Sequence, residues 1–280
     1  MNDVILLIGH GSREPAGNHE IEMFAQIWRQ QQPDWTIEVC FIEFAEVLIA
    51  EGLARAARRA RRVVVVPLIL NAAGHVKMEI PEHIEAARRN HPETEFVYAP
   101  HLDACDPILA ILKRQLRTAM HELDMPDPRT TGVILLGRGA SDRMANGEVA
   151  KMARWLQESS DHELVDTAFT GITHPRLERV VQRHAQLGMM QLIVLPYYLF
   201  TGTLMQRIER QVAHLQRQYP HLRIACGVHF GFEAEIFDLL TLRVAEAGCE
   251  TTRMPCDGCK YREFAHTHGH GHHSHAVAMP

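Results

Sequence analysis

The chain has 280 residues, 46% of them hydrophobic, which suffices for one large core or two ordinary ones and excludes disorder for most of its length. Lys+Arg 29 against Asp+Glu 34 gives a net charge of −5, so no overall field draws it to nucleic acid or anionic membrane. No apolar run approaches the roughly 18 residues of a spanning helix, and "MNDVILL" lacks the basic flank and cleavage site of a signal peptide, so a cytoplasmic protein is expected.

Short β-branched runs alternate with amphipathic stretches through the first half. Strands are predicted at Val4 to Ile8, Thr36 to Ile42, Val63 to Leu70 and Thr94 to Ala99, and helices at Ala16 to Gln31, Val47 to Arg61, Glu79 to Asn90 and Cys105 to His121. The run "VVVVPLIL" has no alternation, as expected of a parallel strand covered on both faces, and Pro67 marks where that strand frays. The pattern is that of a doubly wound α/β unit with flavodoxin-like strand order 2-1-3-4.

A second unit copies the first. "ILLIGHGSR" (5 to 13) returns as "VILLGRGAS" (133 to 141), a shift of 128 that also carries Phe41 onto Phe169, Gly74 onto Gly202, Ile80 onto Ile208, Pro92 onto Pro220 and His101 onto His229. The expected fold is therefore two tandem four-stranded parallel sheets with helices on both faces: lobe 1–122, linker 123–131, lobe 132–248 and a Cys/His-rich tail 249–280. Ligands favour the cleft such lobes form.

His10 follows the first strand and His75, in "LNAAGHVKMEIP", follows the third. Strands one and three are neighbours in this order, and their loops diverge at the switch-point crevice, so the two imidazoles should meet. Gly9, Gly11 and Gly74 suit sharp turns and close approach to a flat ligand. At the matching places the second unit has Arg138 and Thr203, so the fold itself does not require histidine. Paired neutral imidazoles bind Co, Ni, Fe or Zn and accept protons near neutral pH. Insertion of a divalent metal into a tetrapyrrole needs both properties. "CFIEFAEV" adds Glu43 and Glu46, suited to proton transfer or to passing a hydrated metal inward.

"GHGSR", "EFAE" and "AGH", inside a tandem repeat and ahead of "MPCDGC" and "HTHGHGHHSH", resemble the long-form sirohydrochlorin chelatases of the CbiX/SirB type over nearly the whole chain. The resemblance implies a cytoplasmic class II chelatase, a lyase inserting Co²⁺ into sirohydrochlorin for cobalamin biosynthesis, or Fe²⁺ for siroheme, with Ni²⁺ as a further metal and no nucleotide cofactor. It implies His10 as proton acceptor and metal ligand, His75 as second ligand, and macrocycle contacts from Glu46 and the loop Leu70, Asn71, Ala72, Ala73, Gly74. Proline usually follows the glutamate where this chain has Val47. An octacarboxylate substrate needs cations, for which Arg13, Lys77, Arg138, Arg143 and Arg207 are candidates; Arg138 is expected either to clamp a carboxylate or to pair with Asp142.

The resemblance also favours a [4Fe–4S] centre at Cys256 and Cys259, although two thiolates are half a four-ligand set and zinc completed by tail histidines is an alternative. Cys249 is a possible third ligand. His266, His268, His270, His272, His273 and His275 read as an accessory metal store. Two rivals use the same residues: phosphoryl transfer, disfavoured because no P-loop lysine is present, and a non-catalytic bilobal metallochaperone.

Overall fold

The computed structural model describes residues 3–247. The Cys256/Cys259 pair and the histidines of the tail lie outside the described residues.

Each half builds one parallel sheet. In the first, β1 (Val4–Gly9), β2 (Thr36–Phe41), β3 (Arg62–Pro67) and β4 (Glu95–Tyr98) lie in the order β2-β1-β3-β4; in the second, β5 (Thr131–Gly137), β6 (Val165–Phe169), β7 (Gln191–Pro196) and β8 (Arg223–Cys226) lie in the order β6-β5-β7-β8. All neighbours are parallel. The expected order and duplication are thus observed. Pro67 ends β3 opposite Ile8, where its missing N–H costs no ladder bond within the sheet.

All six residues of β1 are buried, because successive side chains enter cores on opposite faces: Ile5 and Leu7 on one, Val4, Leu6 and Ile8 on the other. The helices supply those cores. In α1 (Pro15–Gln31) the buried positions Gly17, Ile21, Phe24, Ala25 and Trp28 recur at helical spacing. The other helices are α2 (Ile49–Ala57), α3 (Ile80–Asn90), α4 (Asp106–Glu122), α5 (Arg143–Glu158), α6 (Leu177–Gln186), α7 (Thr203–Gln218) and α8 (Ala234–Glu246).

Two elements differ from expectation for local reasons. The helix expected from Val47 begins only at Ile49, because Phe44 turns with φ 55° and Leu48 bridges to Phe41, holding residues 42–48 in an irregular loop. The strand expected to reach Leu70 ends at Pro67, and a π-helical turn, His75–Glu79, leads into α3.

The closing helix of each half crosses to the other. Helix α4 packs on β7, β8 and α5, whereas α8 packs on β3 and α4. The ring of Phe237 in α8 stacks on Phe24 of α1 with centroids 4.0 Å apart, and Trp28 Nε1 donates to Thr241 Oγ1 at 3.2 Å. Arg114 of α4 binds Glu233 and Glu235 at 2.7 Å, and Arg243 donates to the Leu102 carbonyl at 2.8 Å. One apolar core consequently runs through both halves, from Ile5 and Phe24 through Ile108 and Leu112 to Leu135 and Leu195. The lobes are held in a fixed relation by side chains worth roughly 1.5–3 kcal/mol each when fully buried.

Candidate metal site between the lobes

The loop after β1 is built by backbone, and its glycine is required. Gly11 has φ +89°, and a β-carbon there would lie 1.7 Å from the Glu43 carbonyl oxygen. Without that carbon, Glu43 N–H reaches the His10 carbonyl at 3.1 Å and Ile42 N–H the Gly9 carbonyl at 3.0 Å. Asn18 fastens the same loops: its amide pairs with Ser12 N–H and C=O at 2.8 and 3.1 Å and donates to the Phe44 carbonyl at 2.7 Å. His10 and Glu43 are thereby fixed side by side.

The second half repeats this scaffold. Gly139 has φ +84° against Gly171, Gly171 N–H donates to Arg138 C=O at 3.0 Å, and Asn146 bonds Ala140 at 2.8 and 2.9 Å. Only the chemistry has changed. Sequence reasoning missed the two asparagines, although the 128-residue shift carries Asn18 onto Asn146.

His10 and His75 converge as expected, with ring centroids 4.7 Å apart and planes at 82°. One ligand atom each from His10, Glu43 and His75 lie within 4.8 Å of one another, a set of two imidazoles and a carboxylate that could hold a divalent ion. His10 Nδ1 lies 3.1 Å from the Gly11 carbonyl and 3.6 Å from Glu43 Oε1. Arg138 Nη1 lies 2.8 Å from His10 Nε2. A guanidinium can only donate, so Nε2 accepts and the proton sits on Nδ1. His75 Nδ1 is 2.6 Å from Glu79 Oε2, which likewise leaves the Nε2 lone pair available. Glu79 was also missed; its i, i+4 spacing from His75 was the available signal. A carboxylate or carbonyl behind the imidazole is the usual arrangement that orients a ligating histidine.

The electrostatics favour a neutral His10 ring. Burial, with neighbouring His75 and then Arg138, pushes the His10 pKa down from 6.5 to about 4. Glu79 is held below the ordinary carboxylate range chiefly by its hydrogen bond to His75.

Other sequence-predicted residues take different positions. Glu46 is exposed in the 42–48 loop and contributes no atom to the three-residue cluster. In the loop before His75, Leu70 and Ala72 are buried, Asn71 and Ala73 half-buried and Gly74 exposed. Gly74 has φ −48°, so glycine there relieves no backbone strain; it leaves open space instead. Lys77, expected to face substrate, is buried and pairs at 2.5 Å with Asp142, across the lobe boundary. That carboxylate also caps α5, accepting from Met144 N–H at 2.9 Å. Arg138 therefore faces His10 rather than Asp142. Arg13, Arg143 and Arg207 are exposed, with Arg13 lying 4.6 Å over the Phe44 ring.

Where the first half has Glu43, the second has Gly171. A β-carbon there would lie 3.9 Å from Arg176 Nη1, an atom that is buried without a hydrogen-bond partner among the described residues. The first wall thus offers lone pairs and a carboxylate, and the facing wall offers guanidinium groups. Among the described residues no helix is long and apolar enough to cross a membrane.

Comparison with known proteins gives the same duplication. The family model CbiX matches residues 4–119 and again 132–247. The sirohydrochlorin cobaltochelatase of Priestia megaterium is 36% identical over 260 residues, covering 92% of this chain and 84% of that one. The sirohydrochlorin ferrochelatase of Priestia megaterium is 28% identical over 232 residues, covering 82% and 86%. SirB from Bacillus subtilis, solved with Fe³⁺, superposes with a TM-score of 0.74 at 27% identity, covering 90% of this chain and 97% of that one. SirB from Bacillus subtilis subspecies spizizenii, in complex with cobalt, gives 0.72 at 27% identity, covering 88% and 95%.

Proposed function

The chain belongs to the CbiX family, and from that membership we infer that it is a sirohydrochlorin chelatase, a lyase that inserts a divalent metal into its tetrapyrrole, with Co²⁺ as the metal. The observation that carries this reading is the convergence of His10, His75 and Glu43 at the carboxyl ends of β1–β3. The cobalt assignment is supported by the greater identity to the cobaltochelatase relative than to the ferrochelatase one. Fe²⁺ insertion is the second reading, favoured by those same ferrochelatase relatives.

In this reading the Nε2 atoms of His10 and His75, with Glu43, hold the incoming ion as substrate while its hydration shell is removed. As the ion moves to the ring nitrogens, two ring N–H protons must leave. The lone pair that the departing ion frees on His75 takes one, and that freed on His10 takes the other. Because burial disfavours the imidazolium, the proton is passed on rather than retained, and Glu43, 3.6 Å from Nδ1, offers a way out. The substrate's carboxylates meet guanidinium groups such as Arg138, opposite the metal-binding wall.

The test is anaerobic mixing of protein, sirohydrochlorin and Co²⁺, Fe²⁺ or Ni²⁺, followed by the visible bands of the macrocycle. A chelatase accelerates the change above the spontaneous rate, most with Co²⁺; a metal carrier leaves it at that rate. The proposed [4Fe–4S] centre at Cys256/Cys259 and the proposed metal store of tail histidines are separate matters, and the insertion step does not pass through them. A storage role predicts that deleting residues 265–280 raises the Co²⁺ concentration for half-maximal rate while kcat is nearly unchanged.

A further inference from the structure

Arg138 reaches the metal-site histidine of the first lobe. Its Nη1 lies 2.8 Å from His10 Nε2, while the other ring nitrogen is directed at the Gly11 carbonyl. The lone pair needed for a metal is thus already in use. The guanidinium is not anchored by an acid: among the described residues no carboxylate pairs with Arg138 within 4.0 Å, because Asp142 is engaged by Lys77. The duplicated backbone brings it there, since Arg138 occupies in the second half the position of His10 in the first, on the same glycine-supported loop. A guanidinium and a divalent ion repel, and both require the same nitrogen, so their occupancies exclude each other.

We propose that Arg138 is a displaceable cap on the metal-binding nitrogen of His10, drawn away by a carboxylate of the arriving tetrapyrrole. This deepens the chelatase reading and rests on it. The hydrogen bond from Nη1 to Nε2 breaks, the guanidinium gains a carboxylate partner, and the released lone pair receives the ion. No covalent bond changes. Binding of the macrocycle thereby raises the affinity of the adjacent site for metal, and metal alone meets a capped site. Arg138 acts as a positioning residue that couples two substrates, and couplings of this kind commonly amount to about 5–150-fold.

The test is a Co²⁺ titration of the full chain, read by the visible absorption of the bound ion, for the parent protein, Arg138→Met, His10→Ala and the double variant. Using His10→Ala as a background removes the contribution of tail histidines. The expected result is that Arg138→Met tightens the His10-dependent component about tenfold, within that range of couplings, and that the gain vanishes in the double variant. In the same preparations the KM for sirohydrochlorin should rise about tenfold, as befits a lost charge-assisted contact. Arg138→Gln, which keeps a neutral donor, should fall between the two. Unchanged or weaker Co²⁺ binding in Arg138→Met overturns the cap, and an unchanged KM overturns its release by carboxylate. A parent protein that fails to accelerate metallation overturns the chelatase reading instead, and the titration still decides whether the cap exists.

Discussion

His10 is held between a carbonyl, a carboxylate and a guanidinium, and each neighbour has a separable effect. Replacing His10 or His75 with alanine is expected to lower the Co²⁺ insertion rate by at least two orders of magnitude without unfolding the chain, as measured by initial rates beside circular dichroism. Glu79→Gln retains the shape but weakens the partner of His75 Nδ1, and should cost about 10–100-fold in metal affinity. An unchanged affinity would show that the Glu79 contact does not orient the ring. The glycines divide sharply. Gly11→Ala forces a β-carbon onto the Glu43 carbonyl at φ +89° and is expected to destabilise the protein by at least about 3 kcal/mol, whereas Gly74→Ala, in open space, should stay within about 0.5 kcal/mol in urea melts. The histidine pair was legible because the repeat supplies an internal comparison, in which one half keeps the glycine loop and drops the imidazole. Glu79 and Asn18 were less legible because their roles depend on which atoms the loops bring within reach. The position of Lys77 was misread, since a lysine three residues from a loop glycine looks exposed until the facing lobe supplies Asp142.

At the scale of elements, the decisive pieces are the segments between strand and helix. Apolar spacing at Val47 and Leu48 continues into α2, so periodicity alone starts the helix at Val47; the positive φ of Phe44 and the Phe41–Leu48 bridge are tertiary features without a composition signal. The π-helical turn at His75–Glu79 is similar: helical in pattern, but widened at the histidine. Strand order was readable because unbroken apolar runs and intervening helices leave few parallel topologies. The Lys77–Asp142 pair joins this turn to the start of α5, both groups being 5% exposed. Asp142→Ala removes both the cap of α5 and the carboxylate beside a buried ammonium, and breaking such a pair costs about 3–5 kcal/mol. Denaturant unfolding should show that loss. A loss below about 1 kcal/mol would mean that the pair does not hold the lobes together.

Across the whole molecule, the duplication predicts two similar lobes, but the exchange of α4 and α8 makes them interdependent. Residues 1–126 expressed alone would leave α4 without β7 and β8 and leave β3 without α8, so neither half is expected to fold by itself, although the two together should form a soluble complex. Dispersed NMR spectra from an isolated half would refute this. The exchange was not legible in the sequence, because an amphipathic helix specifies an apolar face without naming the sheet that receives it. Acid sensitivity also belongs to this scale. Burial pushes His101, like His10, from 6.5 down to about 4. Between those values the unfolded chain binds protons that the folded one excludes, so stability should fall as pH drops from about 6.5 to about 4, with His101→Gln making the slope shallower. The chelatase reading places the metal that is to be inserted at the first lobe's histidine pair, whatever the tail holds. Anomalous diffraction at the cobalt edge, from crystals of the full chain soaked in Co²⁺ at a concentration high enough to overcome the Arg138 cap, tests it most directly: an ion between His10, His75 and Glu43, with the guanidinium moved off His10 Nε2, is expected, and a triad left empty at saturating cobalt would contradict it.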